Sequence, residues 1–86
     1  MKVSVDISMY PLHKDFEIPI KNFIKKLRAS EFTTIENPLS TQVYGDYNEV
    51  MSWLQENIHE VFLNEKHCVF NLKIINGDRS SYEPSF

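Results

Sequence analysis

Hydrophobicity along this 86-residue chain switches between the period of a strand and the period of a helix, in an order that leaves few folds open. Val3, Val5, Ile7 and Met9 alternate with Ser4, Asp6, Ser8 and Tyr10, the two-residue period of a strand half buried on a core. Pro11 and the polar stretch from Leu12 to Asp15 close that run. Ile20, Phe23, Ile24 and Leu27 then recur at helical spacing with Lys21, Lys25, Lys26 and Arg28 outside, so an amphipathic helix is expected to begin near Pro19. Phe32 to Glu36 is rich in β-branched residues and meets the turn signal Asn37-Pro38. A second alternating run follows, with Leu39, Thr41 and Val43 against Ser40, Gln42 and Tyr44.

Gly45 ends that run, and Asp46 with Glu49 three residues later has the form of a capping box. Tyr47, Val50, Met51, Leu54, Ile58, Val61 and Phe62 trace one stripe of a long helix that Asn64 is placed to stop. From His67 to Ile75 the alternation returns, with Cys68, Phe70, Leu72 and Ile74 opposite His67, Val69, Asn71 and Lys73. Asn76-Gly77 reads as a turn, which divides the chain into a domain over 1–76 and a polar tail over 77–86, exposed or pairing with a partner.

The order is βαββαβ. Right-handed crossovers over one sheet convert it into an α+β, ferredoxin-like sandwich, a four-stranded antiparallel sheet with both helices on one face. The first and third strands are then central. Asp6, Ser8 and Tyr10 fall beside Gln42 and Tyr44 on the uncovered face, with Asn71 and Lys73 near them.

Composition narrows what such a domain does. With 42% hydrophobic and 13% aromatic residues the chain is expected to fold around an aromatic-rich core. Its formal charge of -3 lacks the positive field that carries most nucleic-acid affinity, so neither nucleic acid nor membrane is an expected partner. No apolar run approaches the roughly 20 residues of a membrane span. One cysteine and no apolar leader segment make the cytoplasm the expected compartment. A domain this small buries roughly 60% of its unfolded surface, so self-association, as a homodimer or homotetramer through sheet faces or edges, is expected.

Motifs for chemistry are few. His59-Glu60 opens like a zinc-protease helix, but position 63 is Leu, and His67 and Cys68 point to opposite sheet faces, so no metal site is expected. Cys68 reads as a core residue. Gly45 and Gly77 stand alone, outside any phosphate-cradling loop, and no nucleophile has a base and an orienting group assigned to it. The chain is therefore read as a non-enzyme. The one ligand-like constellation is Asp6, Ser8, Tyr10, Gln42, Tyr44 and Asn71: a carboxylate, two phenols, a hydroxyl and two amides. A flat heteroaromatic cation or aminopyrimidine suits it, because rings stack on Tyr and an exocyclic amine donates to Asp6. Tyr is enriched at interfaces for the same reasons, so from spacing alone a subunit interface ranks ahead of a ligand site, and both can meet at one boundary.

Three longer runs resemble the thiamine-binding YkoF-type family: Val5-Asp6-Ile7-Ser8-Met9-Tyr10-Pro11-Leu12, then Ser40-Thr41-Gln42-Val43-Tyr44-Gly45-Asp46-Tyr47 with Glu49-Val50-Met51, then His59-Glu60-Val61-Phe62. The likeness continues to Asn76-Gly77-Asp78-Arg79. It implies a single-domain member that self-assembles through its sheets and binds thiamine or its hydroxymethylpyrimidine moiety without converting it, as ligand and not as a required cofactor. The resemblance carries Ser8, Tyr10 and Pro11 into a first motif and Thr41 and Gly45 into a second. Many relatives have Glu before the glycine where this chain has Tyr44, which leaves Asp6 as the acid of the cluster. Strict alternation turns Thr41 toward the helices, whereas the motif brings it toward the pocket. The rival reading is a structural or regulatory oligomer with no vitamin ligand.

Overall fold

A computed structural model describes all residues, Met1–Phe86. The elements are β1 (Lys2–Pro11), α1 (Glu17–Ala29), β2 (Thr33–Glu36), β3 (Thr41–Asp46), α2 (Tyr47–Asn64) and β4 (Cys68–Asn76). The four strands form one antiparallel sheet in the order β2-β3-β1-β4, a ferredoxin-like arrangement with β3 and β1 central.

The helix boundaries follow local chemistry. α1 starts at Glu17, two residues before the expected Pro19, because the first-turn N–H groups have no intrahelical partner and Pro19 loses nothing inside that turn. The Asp46 side chain caps α2 by accepting from the Glu49 N–H at 3.4 Å. Gly45, just before it, lies under α2: a Cβ there would stand 2.9 Å from Phe32 Cδ1 and 3.0 Å from Val50 Cγ2. Glycine lets strand and helix close to this distance.

The buried core is smaller and more aliphatic than the composition suggests. Val3, Val5, Ile7, Val43, Leu27, Val50 and Leu54 fill it, with Phe23 as its one aromatic residue. Phe32, Trp53 and Phe70 pack against it half buried, joined edge-on through Phe23 and Trp53 with ring centroids 5.5 Å apart. A two-layer fold of this size has a thin centre, so large rings end up at its margin. Cys68 is likewise half exposed at the edge strand, where burial chiefly, helped by the Glu65 charge, pushes its thiol pKa up.

The sheet is not of uniform length. β3 pairs with β1 only as far as Ile7↔Thr41, while β1 continues against β4 from Ser8↔Asn71 to Pro11↔Cys68. At the other end the chain turns at Gly77, whose φ of 95° favours glycine, and comes back onto the uncovered face. Ser4, only 6% exposed, donates to the Gly77 carbonyl at 2.7 Å and accepts from the Arg79 N–H at 2.9 Å.

Candidate functional site

Where β3 stops short of β1 the fold has a notch, walled by the end of β1, the 37–40 turn and the start of α1. An open groove of about 780 Å³ occupies it, lined by Asp6, Ser8, Tyr10, Phe16, Leu39 and Ser40 among others. Behind the same wall lies a smaller chamber of about 150 Å³ lined by Ile7, Ile20, Phe23, Leu27, Leu39 and Thr41. Ser8, Met9, Ile20, Pro38, Leu39 and Ser40 line both, so the two spaces adjoin.

The structure distributes the residues singled out in the sequence. Asp6, Ser8 and Tyr10 lie together in the groove. Gln42 sits opposite Asp6 in register and spends its amide on the protein: its oxygen accepts from Asn37, and its NH2 donates to Asp6 and, at 3.0 Å, to Ser40 Oγ. Gln42 therefore positions the acid. Asn37, which the sequence reading treated only as a turn residue, is the far end of this relay. A turn asparagine five residues before the polar strand position Gln42 was the available signal.

Tyr44 pairs with Ser4, two residues along β3 from Gln42 and close to the returning tail. Burial, then the charges of Asp6 and Asp78, pushes its phenol pKa up. Asn71 lies across β1 from Ser8 on the exposed edge strand. Neither borders the groove.

Thr41 belongs to the opposite face from the other six. It pairs with Ile7 in an unbroken register, so no bulge returns it to the uncovered side. It is only 8% exposed, and its hydroxyl makes no hydrogen bond within the chain, whereas no fully buried side-chain polar atom lacks a partner. That hydroxyl therefore still meets the chamber. The strand alternation was right about its direction, and the notch makes that direction lead to a space adjoining the groove.

A groove of about 410 Å³ also runs between α1 and α2. Its acids are already engaged: Lys26 Nζ lies 2.8 Å from Glu60, and His13 Nε2 lies 2.7 Å from Glu65. The notch, in contrast, combines an oriented carboxylate with apolar and aromatic walls. No group of three or more His, Cys, Asp and Glu side chains is placed to hold a metal ion, and no helix is long and apolar enough to cross a membrane.

Comparison with known proteins adds a family. The model of the YKOF-related family matches residues 2–78. Among solved structures, a protein of Streptococcus pneumoniae is 26% identical with a TM-score of 0.83, covering 94% of this chain and 92% of its own. A Thermotoga maritima protein provisionally assigned to thiamine biosynthesis or salvage is 25% identical with a TM-score of 0.80, over 90% of this chain and 85% of that one. A hypothetical protein of Methanocaldococcus jannascii is 25% identical with a TM-score of 0.74, over 95% and 84%. No curated protein sequence matches significantly.

Proposed function

The chain belongs to the YKOF-related family, and on that premise we propose that it is a cytoplasmic, non-enzymatic binder of thiamine or of its hydroxymethylpyrimidine moiety, acting as a homo-oligomer. The observation that carries this reading is the carboxylate of Asp6, held by the Asn37–Gln42 relay at a groove walled by Tyr10, Phe16 and Leu39. A planar cationic or amino-substituted ring needs an apolar slot for its faces and an acceptor at its edge. Asp6 is the acceptor, and the net charge of -3 favours a cationic ligand. The assignment of the Thermotoga maritima relative to thiamine biosynthesis or salvage supports the same ligand class.

Calorimetric titration of the purified chain with thiamine and with hydroxymethylpyrimidine tests the reading. Binding with a loss of about ten- to a hundredfold in affinity for Asp6→Asn is expected, the range of a hydrogen bond to a charged group. Absence of heat and of thermal stabilisation at millimolar ligand would sink it.

A second reading rests on a different observation. Tyr10, Ile35, Val69 and Ile75 are 38–51% exposed on the uncovered sheet face or its edges, an apolar content suited to contact with another copy alone. An assembly that forms while neither compound binds would favour that structural role.

A further inference from the structure

The end of β1 carries polar groups that no side-chain reading reveals. In an antiparallel strand, alternate residues turn both their N–H and C=O toward the same neighbour. The Leu12 N–H donates to the His67 carbonyl on the β4 side at 3.0 Å, and the Met1 carbonyl accepts from the Tyr47 N–H on the β3 side at 2.8 Å. Even-numbered residues of β1 thus address β4 and odd-numbered ones address β3. Val3, Val5 and Ile7 meet Gly45, Val43 and Thr41. The next odd residue is Met9, and its counterpart would be Leu39, but the chain has already left the ladder for the turn closed by the Asn37 N–H to Ser40 carbonyl bond at 2.9 Å. No hydrogen bond joins the main chain of Met9 to that turn. Pro11, the following odd residue, has no N–H.

Met9 therefore presents one donor and one acceptor side by side on the wall that the groove and the inner chamber share. Main-chain groups in a fold interior rarely stay unpaired, and here the missing strand partner coincides with a cavity. We propose that the N–H and C=O of Met9 form the recognition edge for an amino-substituted nitrogen heteroaromatic. A ring nitrogen accepts from the N–H, and the adjacent exocyclic amine donates to the C=O. The ligand edge replaces the strand pair that Leu39 does not make. Apolar side chains of Ile20 and Leu39, the latter 89% exposed at the rim, flank the ring, and the unpaired Thr41 hydroxyl lies beyond it. This inference rests on the proposed function and specifies which atoms of the site discriminate.

The test is amide hydrogen exchange on the full-length, isotopically labelled chain by NMR. Probes are thiamine, hydroxymethylpyrimidine, 4-aminopyrimidine and, as a control without a ring nitrogen, aniline. In the free protein the Met9 amide is expected to exchange rapidly while those of Ser8 and Tyr10, bonded to β4, are protected. Saturating 4-aminopyrimidine is expected to slow Met9 exchange about tenfold or more, and aniline to leave it unchanged. A Met9 amide already protected in the free protein overturns the proposal. So does heat of binding for thiamine or hydroxymethylpyrimidine with Met9 exchange unaltered, an outcome that leaves the vitamin reading standing. Protection by 4-aminopyrimidine with no binding of either vitamin compound would sustain the recognition edge and remove the vitamin. If no probe alters Met9 at tens of millimolar and neither vitamin compound gives heat of binding, both fall.

Discussion

Thr41 places a hydroxyl where the fold alone would favour a methyl. It faces the helices, pairs with Ile7 and lies among Phe23, Ile24 and Leu27, yet has no hydrogen-bond partner in the chain. An unpaired hydroxyl in such surroundings costs about 1–3 kcal/mol when fully desolvated, and less here because it keeps contact with the chamber. Thr41→Val keeps the shape and removes the polar atom. It is expected to leave stability unchanged or raise it by about 1 kcal/mol, read from the urea midpoint, while weakening hydroxymethylpyrimidine binding up to about tenfold, the worth of one hydrogen bond. A loss of stability would show that the hydroxyl serves the fold instead. Gln42 is the opposite case. Its amide is fully committed to Asn37, Ser40 and Asp6, so a residue that composition offers as a ligand contact acts as the brace behind one.

Short edge strands need holding, and β2, four residues long, is held by α1. Arg28 in the last turn of the helix donates from Nε and from its terminal nitrogen to the two carboxylate oxygens of Glu36, each at 2.7 Å. The Arg28 hydrogen bonds hold the Glu36 carboxyl below its usual pKa range, against an opposing effect of desolvation that outweighs the further help of the Arg28 charge. Because the folded pKa is depressed, the stabilisation is fully present above the unfolded carboxylate value and is lost as pH falls through the folded one. The urea midpoints of wild type and Glu36→Gln should therefore differ most near neutrality and converge in acid, with a smaller gap at high salt. A gap independent of pH would mean that Glu36 acts through packing. At this same scale the sequence was most readable. Period-two and period-3.6 patterns located five of the six elements, β-branched content before Asn37-Pro38 located β2, the Asp46 cap marked the start of α2, and Asn76-Gly77 marked the final turn. What stayed hidden was relational. Periodicity reports which face a residue takes, but not that β3 ends two residues before Met9 would need it, nor that the chain beyond Gly77 fastens to Ser4.

At the scale of the molecule the question is how much surface one copy leaves open. Folded monomers of this mass expose about 5,300 Å² by the usual size scaling. This chain exposes 6308 Å², about 1,000 Å² more. Part of that belongs to Tyr82 and Phe86 near the terminus. The remainder is of the order of the roughly 800 Å² each partner gives up in an interface of standard size. Val69 and Ile75 supply apolar area on the β4 side of the uncovered face, beside Tyr10 and Ser4 in the register. Light scattering at tens of micromolar protein is expected to give a mass of at least two chains, and Val69→Lys combined with Ile75→Lys to return a single chain with an unchanged far-ultraviolet circular dichroism spectrum. Both positions already stand about half exposed, so lysine there costs the isolated fold little, while two cations buried against a second copy would oppose assembly strongly. A wild-type mass of one chain would remove the oligomer. An assembly that survives both lysines would move the contact off this face, toward the free edge of β4, where main-chain pairing tolerates such side chains.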